Sequence, residues 1–288
     1  MRERFGLGFA PGDTGAIDEG ARDRRRRLWQ HGILLRRDRD TFLPRFRERL
    51  MFPIRDADGT VIGFGGRTIA PGDGARGPKY LNSPASAGFD KGRVLYGLHE
   101  ALRASAAPGR LVIVEGYLDV VALAGAGVDG AVATLGTAVT EAHLLAAFAH
   151  TAHVTLCLDG DAAGHAAAAR AIERALPVVR DDQVLDVVHL PPGDDPDTFV
   201  RTRGGAAFRD RLAGARSAVS VLLSTLADGC DLAELGGQAR FGARVLERAA
   251  SIRSERLRQA LLDCASAAID LRLELPGAGD APGGTDRP

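Results

Sequence analysis

Acidic residues follow three short apolar runs in the middle of the chain, at 111–114, 154–158 and 184–189. These runs are predicted to be strands of a parallel sheet, and the carboxyl ends of such strands meet at one edge. Carboxylates that converge there raise each other's pKa, and a hard divalent cation such as Mg²⁺ relieves the repulsion. The sequence therefore predicts a metal site with ligands among Glu115, Asp119, Asp159, Asp161, Asp195 and Asp197.

Helix capping is the competing explanation for each acidic residue taken alone. An Asp after a strand is commonly the N-cap of the next helix, and Asp161 in the segment Asp159-Gly160-Asp161 is placed to do this. Three acidic strand ends within one α/β unit are harder to explain by capping, so metal binding is favoured.

The elements that would hold these residues form an α/β pattern from residue 110 onward. A fourth apolar run lies at 131–135, and segments with helical spacing lie at 117–126, 140–150 and 162–176. Strands that alternate with helices of this length predict a four-stranded parallel sheet with crossover helices. We assign this unit to residues 110–191.

The flanking segments differ from this unit in pattern. Residues 1–109 are predicted to be a basic α+β subdomain, with a hairpin at 49–54 and 61–64 around the turn residues Asp56–Gly59 and a loop at 70–92. Residues 192–274 have helical apolar spacing and are predicted to be a helical subdomain. Residues 275–288 have the composition of a disordered tail.

Charge is distributed unevenly, although the formal net charge of the chain is zero. Residues 1–110 carry a net charge of +8 and residues 111–200 a net charge of −10. This indicates a surface for polyanions beside a site that gathers cations, although two solvated faces would also account for it. Only Lys79 and Lys91 are lysines among 37 basic residues, which suggests that an ammonium group is specifically required at these positions.

Several other classes of protein are excluded by the sequence. No apolar stretch is long enough to span a membrane, and no apolar signal core follows Met1, so we expect a cytoplasmic protein. The three cysteines are widely separated, which argues against zinc in this chain. The Gly125–Gly130 match to GxGxxG precedes a strand instead of following one, so it is predicted to be a turn, and no ATP-binding P-loop is present.

The acidic segments Glu115–Asp119 and Asp159–Asp161 resemble the metal-binding motifs of a Toprim domain, the module shared by primases, topoisomerases and some nucleases. The whole of about residues 1–210 resembles the RNA polymerase core of bacterial DnaG-type primases. The further segments that carry this resemblance, in order, are Arg4–Pro11, Arg47–Asp56, Val61–Arg67, Pro78–Pro84, Lys91–Gly97, Ala133–Thr137 and Asp194–Thr198.

The resemblance implies roles for the matching residues. Glu115, Asp159 and Asp161 would be the catalytic acids that bind Mg²⁺, with Mn²⁺ as an alternative, and the other three acids would complete the cluster. The residues that would bind nucleic acid or nucleotide are Arg4, Arg67, Lys79, Asn82, Lys91 and Arg93. The expected partners are a single-stranded DNA template, NTPs and the RNA primer.

The resemblance leaves two modules of the family unmatched. The zinc-binding module and the helicase-binding module are expected to be missing from this chain, so we expect the replicative helicase to bind only through a part that is not here. Two alternative functions stay open, namely a Toprim-family nuclease and an inactive nucleic-acid-binding remnant of a primase.

Overall fold

The computed structural model describes residues 1–10, 26, 28–30, 32–37, 41–69, 77–86 and 88–275. The predicted tail therefore lies, apart from residue 275, outside the described residues. None of the helices in the described ranges is both long and apolar enough to cross a lipid bilayer.

The N-terminal part contains a four-stranded antiparallel sheet in the order β1-β4-β5-β6 and a separate pair, β2-β3. The elements that lie within the described residues are α1 (Arg2–Phe5), β1 (Gly8–Ala10), β2 (Leu34–Arg36), β3 (Phe42–Pro44), β4 (Arg49–Arg55), β5 (Val61–Thr68) and β6 (Tyr80–Asn82). The predicted hairpin is confirmed: β4 pairs with β5, and the Asp56 carboxylate accepts a hydrogen bond from the Thr60 N–H at 2.8 Å within the turn. Strand β6 lies within the segment predicted to be a loop, and that prediction was wrong for these three residues.

The second sheet has the order β11-β10-β9-β7-β8. Its strands are β7 (Leu111–Val114), β8 (Ala131–Ala133), β9 (His153–Leu158), β10 (Val184–His189) and β11 (Arg216–Ser217). The first four are mutually parallel, which confirms the predicted four-stranded parallel sheet. Strand β11 pairs antiparallel with β10 and was not predicted. The helices of this unit are α2 (Leu98–Ala104), α3 (Tyr117–Gly125), α4 (Glu141–Phe148) and α5 (Ala162–Ala175).

Within the described residues, four helices follow the last parallel strand, in agreement with the helical C-terminal part predicted from the sequence. They are α6 (Pro196–Ala213), which is interrupted at Gly204, α7 (Ala218–Ala227), α8 (Leu235–Ser251) and α9 (Glu255–Ile269). The predicted boundaries of the domains stay a prediction. The structure shows that helices of this C-terminal part share a hydrophobic core with the parallel sheet.

The parallel sheet is largely buried on both faces, which explains why its strands are mostly apolar. Alternate residues of β7 enter different cores: Leu111 and Ile113 belong to the core that includes the C-terminal helices, whereas Val112 and Val114 belong to the core that includes Phe52 of β4. The Phe52 ring stacks on the ring of Tyr117 at the start of α3, with the centroids 4.9 Å apart, and this contact holds the N-terminal sheet beside the parallel sheet. This packing sets the relative position of the basic and acidic parts of the chain.

Candidate active site

The carboxyl ends of the parallel strands bring most of the predicted acidic residues together. Glu115 directly follows β7 and Asp159 directly follows β9, and a Glu115 carboxylate oxygen lies 3.5 Å from the Asp159 backbone nitrogen, which donates to it. A cavity of about 380 Å³ opens at this edge. The acidic residues that line it are Glu115, Asp119, Asp159, Asp195 and Asp197.

Asp161 also belongs to this acidic edge but does not line the larger cavity. The acidic edge consists of Glu115, Asp119, Asp159, Asp161, Asp195 and Asp197. Asp161 lines a neighbouring cavity of about 340 Å³, which Glu115 and Asp159 also line. The acidic edge thus separates two cavities, and Glu115 and Asp159 face both of them.

Two of the predicted ligands also cap helices, as the competing explanation proposed. Asp161 accepts a hydrogen bond from the Gly164 N–H at 2.7 Å at the start of α5, and Asp195 accepts one from the Thr198 N–H at 2.6 Å at the start of α6. Each cap uses one oxygen, and a carboxylate has a second oxygen with which to bind a cation. Capping and metal binding are therefore compatible in both residues.

Asp119 is the most deeply buried acid of the cluster, with 8% of its surface exposed. One carboxylate oxygen accepts from the Gly116 N–H at 2.9 Å, and the other accepts from the Asp197 N–H at 3.3 Å. Asp119 thereby ties the start of α3 to the start of α6. The pKa of Asp119 is raised to about 7, chiefly by burial and also by the nearby carboxylates of Asp195 and Asp159, while the two N–H groups that it accepts act in the opposite direction.

Asp159 is repelled by the other carboxylates of the acidic edge. Its pKa is raised to about 6, first by burial and then by the neighbouring charges of Glu115, Asp195 and Asp161. A cation bound at this edge would neutralise the repulsion that raises this pKa. The side-chain atoms of the cluster that could bind a metal are all oxygens, which are the ligand atoms that Mg²⁺ and Mn²⁺ prefer.

The acidic edge is an open arrangement. Within the described part of the chain, no three Asp, Glu, His or Cys side chains are gathered as a preformed metal cage. Mg²⁺ is commonly held by one or two carboxylates, several waters and substrate phosphates, so an open edge fits this ion. The residues present therefore fit a substrate-assisted metal site.

The opposite wall of the larger cavity is basic and comes from the N-terminal sheet. Arg67 on β5 and Lys79 just before β6 line it, and both lie near the ring of Tyr80, at 6.0 Å and 5.8 Å from its centroid. Arg201 on α6 also lines the cavity and forms an ion pair with Asp197 at 2.7 Å. Arg201 was missed from the sequence, although its position four residues after Asp197 on a predicted helix was a usable signal.

Asn82 joins the two walls. Its carboxamide oxygen accepts from the Tyr117 hydroxyl, and its amide nitrogen donates to the Leu135 carbonyl at 3.0 Å. Gly65 on β5 leaves room for the Tyr117 ring, because a Cβ there would lie 2.5 Å from it. Asn82 therefore lines the cavity, as its predicted role requires, while its side chain holds β6 against α3 and the loop after β8.

Three predicted nucleotide-binding residues do not line either cavity. The side chains of Lys91 and Arg93 are exposed, and the Lys91 carbonyl accepts from the buried ring of His143 at 2.9 Å. Arg4 forms an ion pair with Asp129 at 2.6 Å. Asp129 precedes β8, so this pair lies at the amino ends of the strands, at the edge opposite the acids. The nucleotide-binding roles of these three residues stay predictions.

Comparison with known families identifies both halves of the site. The family model described as the N-terminal domain of the DNA primase catalytic core matches residues 1–102, and the Toprim domain model matches residues 109–185. The protein is thus a Toprim protein whose parallel sheet is joined to a primase-type N-terminal domain. The Toprim domain of primases is metal-dependent, in agreement with the oxygen-rich edge described above.

Relatives are similar to this chain over most of its length. It is 45% identical to the DNA primase of Escherichia coli strain K12 over 258 residues and 42% identical to that of Pasteurella multocida over 261 residues. The matches cover 88% and 90% of this chain but 44% of each relative. The chain therefore spans less than half the length of these curated relatives.

Solved structures show the same fold. The Escherichia coli primase catalytic core superposes with a TM-score of 0.87 at 42% identity, covering 95% of this chain and 88% of that one. A structure of the DnaG primase catalytic domain bound to single-stranded DNA has a TM-score of 0.86 at 42% identity, covering 95% of this chain and 85% of that one. The RNA polymerase domain of Mycobacterium tuberculosis DnaG has a TM-score of 0.74 at 30% identity, covering 93% and 85%. This chain belongs to the family of DnaG-type primase catalytic cores.

Proposed function

We propose that this chain is an RNA-polymerising core that synthesises short RNA primers on single-stranded DNA by metal-dependent nucleotidyl transfer. The observation that carries the proposal is the cavity of about 380 Å³, in which Arg67 and Lys79 face Glu115 and Asp159. A polymerase active site needs such a combination, because cationic side chains bind the substrate phosphates while carboxylates hold the metal.

The acidic edge supplies the metal-binding residues. Glu115, Asp159 and Asp161 would hold Mg²⁺, with Mn²⁺ as an alternative of the same oxygen-binding class. When bound, the metal would supply positive charge that stabilises the attacking and leaving oxygens. Asp119, Asp195 and Asp197 would complete the cluster. Of these, Asp119 already uses both oxygens to accept backbone N–H groups and thereby positions the loops that carry the other acids.

The basic wall would bind the phosphates of the nucleotide. Arg67 presents a planar fork suited to bidentate phosphate contacts, and the compact ammonium of Lys79 can follow a phosphate as it moves. Asn82 holds these residues at a set distance from α3 through Tyr117. Contacts of this kind neutralise phosphates without reading bases, so template binding would be salt-dependent and weakly sequence-specific.

The proposed partners are a single-stranded DNA template, NTPs and the RNA primer. Support for the template comes from the similar DnaG catalytic domain that is described as bound to single-stranded DNA. A Toprim-family nuclease is not favoured, because the similarity extends through the primase-type N-terminal domain at residues 1–102.

Two parallel assays test the proposal. Wild-type chain is incubated with Mg²⁺, labelled NTPs and a single-stranded template, and separately with supercoiled plasmid. We expect RNA products of several nucleotides and no nicking. Plasmid nicking without RNA synthesis would support the nuclease, and binding to single-stranded DNA with neither activity would support the inactive remnant.

A further inference from the structure

The proposed function assigns no ligand to the smaller cavity beside the acidic edge. This cavity has a volume of about 340 Å³, and Glu115, Asp159 and Asp161 form its acidic wall. Its other walls are the loop from Thr134 to Val139 and one face of helix α5. Both hydroxyl groups of this loop are already used, since Thr134 and Thr137 each donate to the other's carbonyl oxygen.

Arg170 is the one basic side chain among the described residues that line this cavity. It lies on α5 on the same face as three small residues nearer the helix start, Ala163, Gly164 and Ala167. Side chains on a helix point back toward its N-terminus, so the Arg170 side chain extends over these small residues toward the acidic edge. The absence of bulk at these three positions leaves the space in which a ligand could lie.

The charge of Arg170 is available for a ligand. Its side chain is exposed, and no described residue forms a hydrogen bond or ion pair with it. It is also the first Lys or Arg in the sequence after Arg110, in a chain with 37 basic residues. The acids lie beyond ion-pair distance from it, so an anion that carries a metal ion could bridge the two.

We propose that Arg170 acts together with the basic wall: from the smaller cavity, across Glu115 and Asp159 from Arg67 and Lys79, it binds the β- and γ-phosphates of the incoming NTP and, after transfer, the pyrophosphate product. The inference rests on the proposed function. In that reaction the primer 3′-oxygen forms a bond to the α-phosphorus and loses its proton to water. The bond between the α-phosphorus and the bridging oxygen breaks, and pyrophosphate leaves with the electron pair. Arg170 would stabilise the negative charge that collects on this leaving group.

The direct test is calorimetric titration of the whole chain with magnesium pyrophosphate, which requires no turnover. We expect Arg170→Ala to weaken binding about tenfold, as the loss of one charge-assisted hydrogen bond predicts, and Arg170→Lys to restore part of the affinity. Arg240→Ala is the matched control, because Arg240 is an exposed arginine on α8 that lines neither cavity. Its affinity for pyrophosphate should equal that of the wild type.

Steady-state RNA synthesis then separates the two sources of the polyphosphate. If Arg170 contacts the substrate, Arg170→Ala raises KM for NTP. If it contacts the product, the inhibition constant for added pyrophosphate rises as well, while affinity for single-stranded DNA stays at the wild-type value in either case. Wild-type pyrophosphate affinity in Arg170→Ala, or an equal loss in Arg240→Ala, would overturn the inference. Absence of RNA synthesis by the wild type would instead overturn the proposed function and leave the titration as the test of Arg170.

Discussion

Replacing Gly160 by Ala should move the loop that carries two of the proposed metal ligands. Gly160 lies between Asp159 and Asp161, and its N–H donates to the Asp194 carbonyl at 2.9 Å. A Cβ at this position would lie 2.2 Å from the Pro191 carbonyl oxygen. Carbon–oxygen contacts are ordinarily about 3.3 Å or longer, so the two segments must separate by about 1 Å.

That displacement should cost activity more than stability. Overpacking of this kind destabilises a fold by about 1–3 kcal/mol, whereas a misplacement of about 1 Å in a catalytic site can lower the rate about 100-fold. We therefore expect Gly160→Ala to fold, to bind single-stranded DNA normally and to lose about 100-fold in kcat/KM for NTP incorporation.

Gly109→Ala provides the matched control, because a Cβ there meets no other atom within 4 Å. Thermal unfolding, DNA binding and NTP incorporation should be measured on both variants and the wild type. Wild-type incorporation in Gly160→Ala would refute the argument that close approach of these loops positions the acids.

Three further predictions concern the residues around the site. Lys79→Arg should keep single-stranded DNA affinity but lower RNA synthesis in an incorporation assay, because a planar guanidinium prefers a fixed bidentate partner. Lys79→Ala should lower RNA synthesis further. Wild-type turnover in Lys79→Ala would show that Lys79 is an ordinary surface lysine. Burial lowers the pKa of His143, so its folded state binds fewer protons than its unfolded state, and stability should fall as pH drops below about 6.5. Urea unfolding between pH 8 and 5 should show a weaker pH dependence in His143→Gln than in wild type or His150→Gln, and equal slopes would contradict this. Tyr117→Phe should cost about 1–3 kcal/mol in urea unfolding, because it leaves the Asn82 carboxamide oxygen without its donor, and an unchanged stability would show that water replaces the hydroxyl.

Much of the parallel sheet could be predicted from local sequence. Its strands are apolar on both faces, and its helices have the length of crossover connections, so each element carries its own signal. The acidic edge followed from the same pattern, because residues that directly follow parallel strands, such as Glu115 and Asp159, must meet at one edge.

The short strands and the basic wall of the larger cavity could not be predicted from local sequence. Strands β6 and β11 have three and two residues, and they exist because a neighbouring strand offers hydrogen bonds to them, not because of their own composition. The approach of Lys79 to the acids depends on the packing of Phe52 against Tyr117, which is a long-range contact without a local signature. For the same reason the sequence did not show that Asp161 faces a second cavity, or that Arg170 lies across from it.

The most direct test of the central claim is RNA synthesis by Asp159→Asn over a range of Mg²⁺ concentrations, measured beside single-stranded DNA binding. Asp159 follows a buried strand and is half-buried at the acidic edge, so the isosteric amide should remove a metal ligand without unfolding the sheet. Asp210→Asn is the control, since Asp210 is an exposed acid on α6 that lines neither cavity. We predict that Asp159→Asn binds DNA as well as the wild type and synthesises no primers at any Mg²⁺ concentration, whereas full synthesis by this variant would contradict the assignment of the active site.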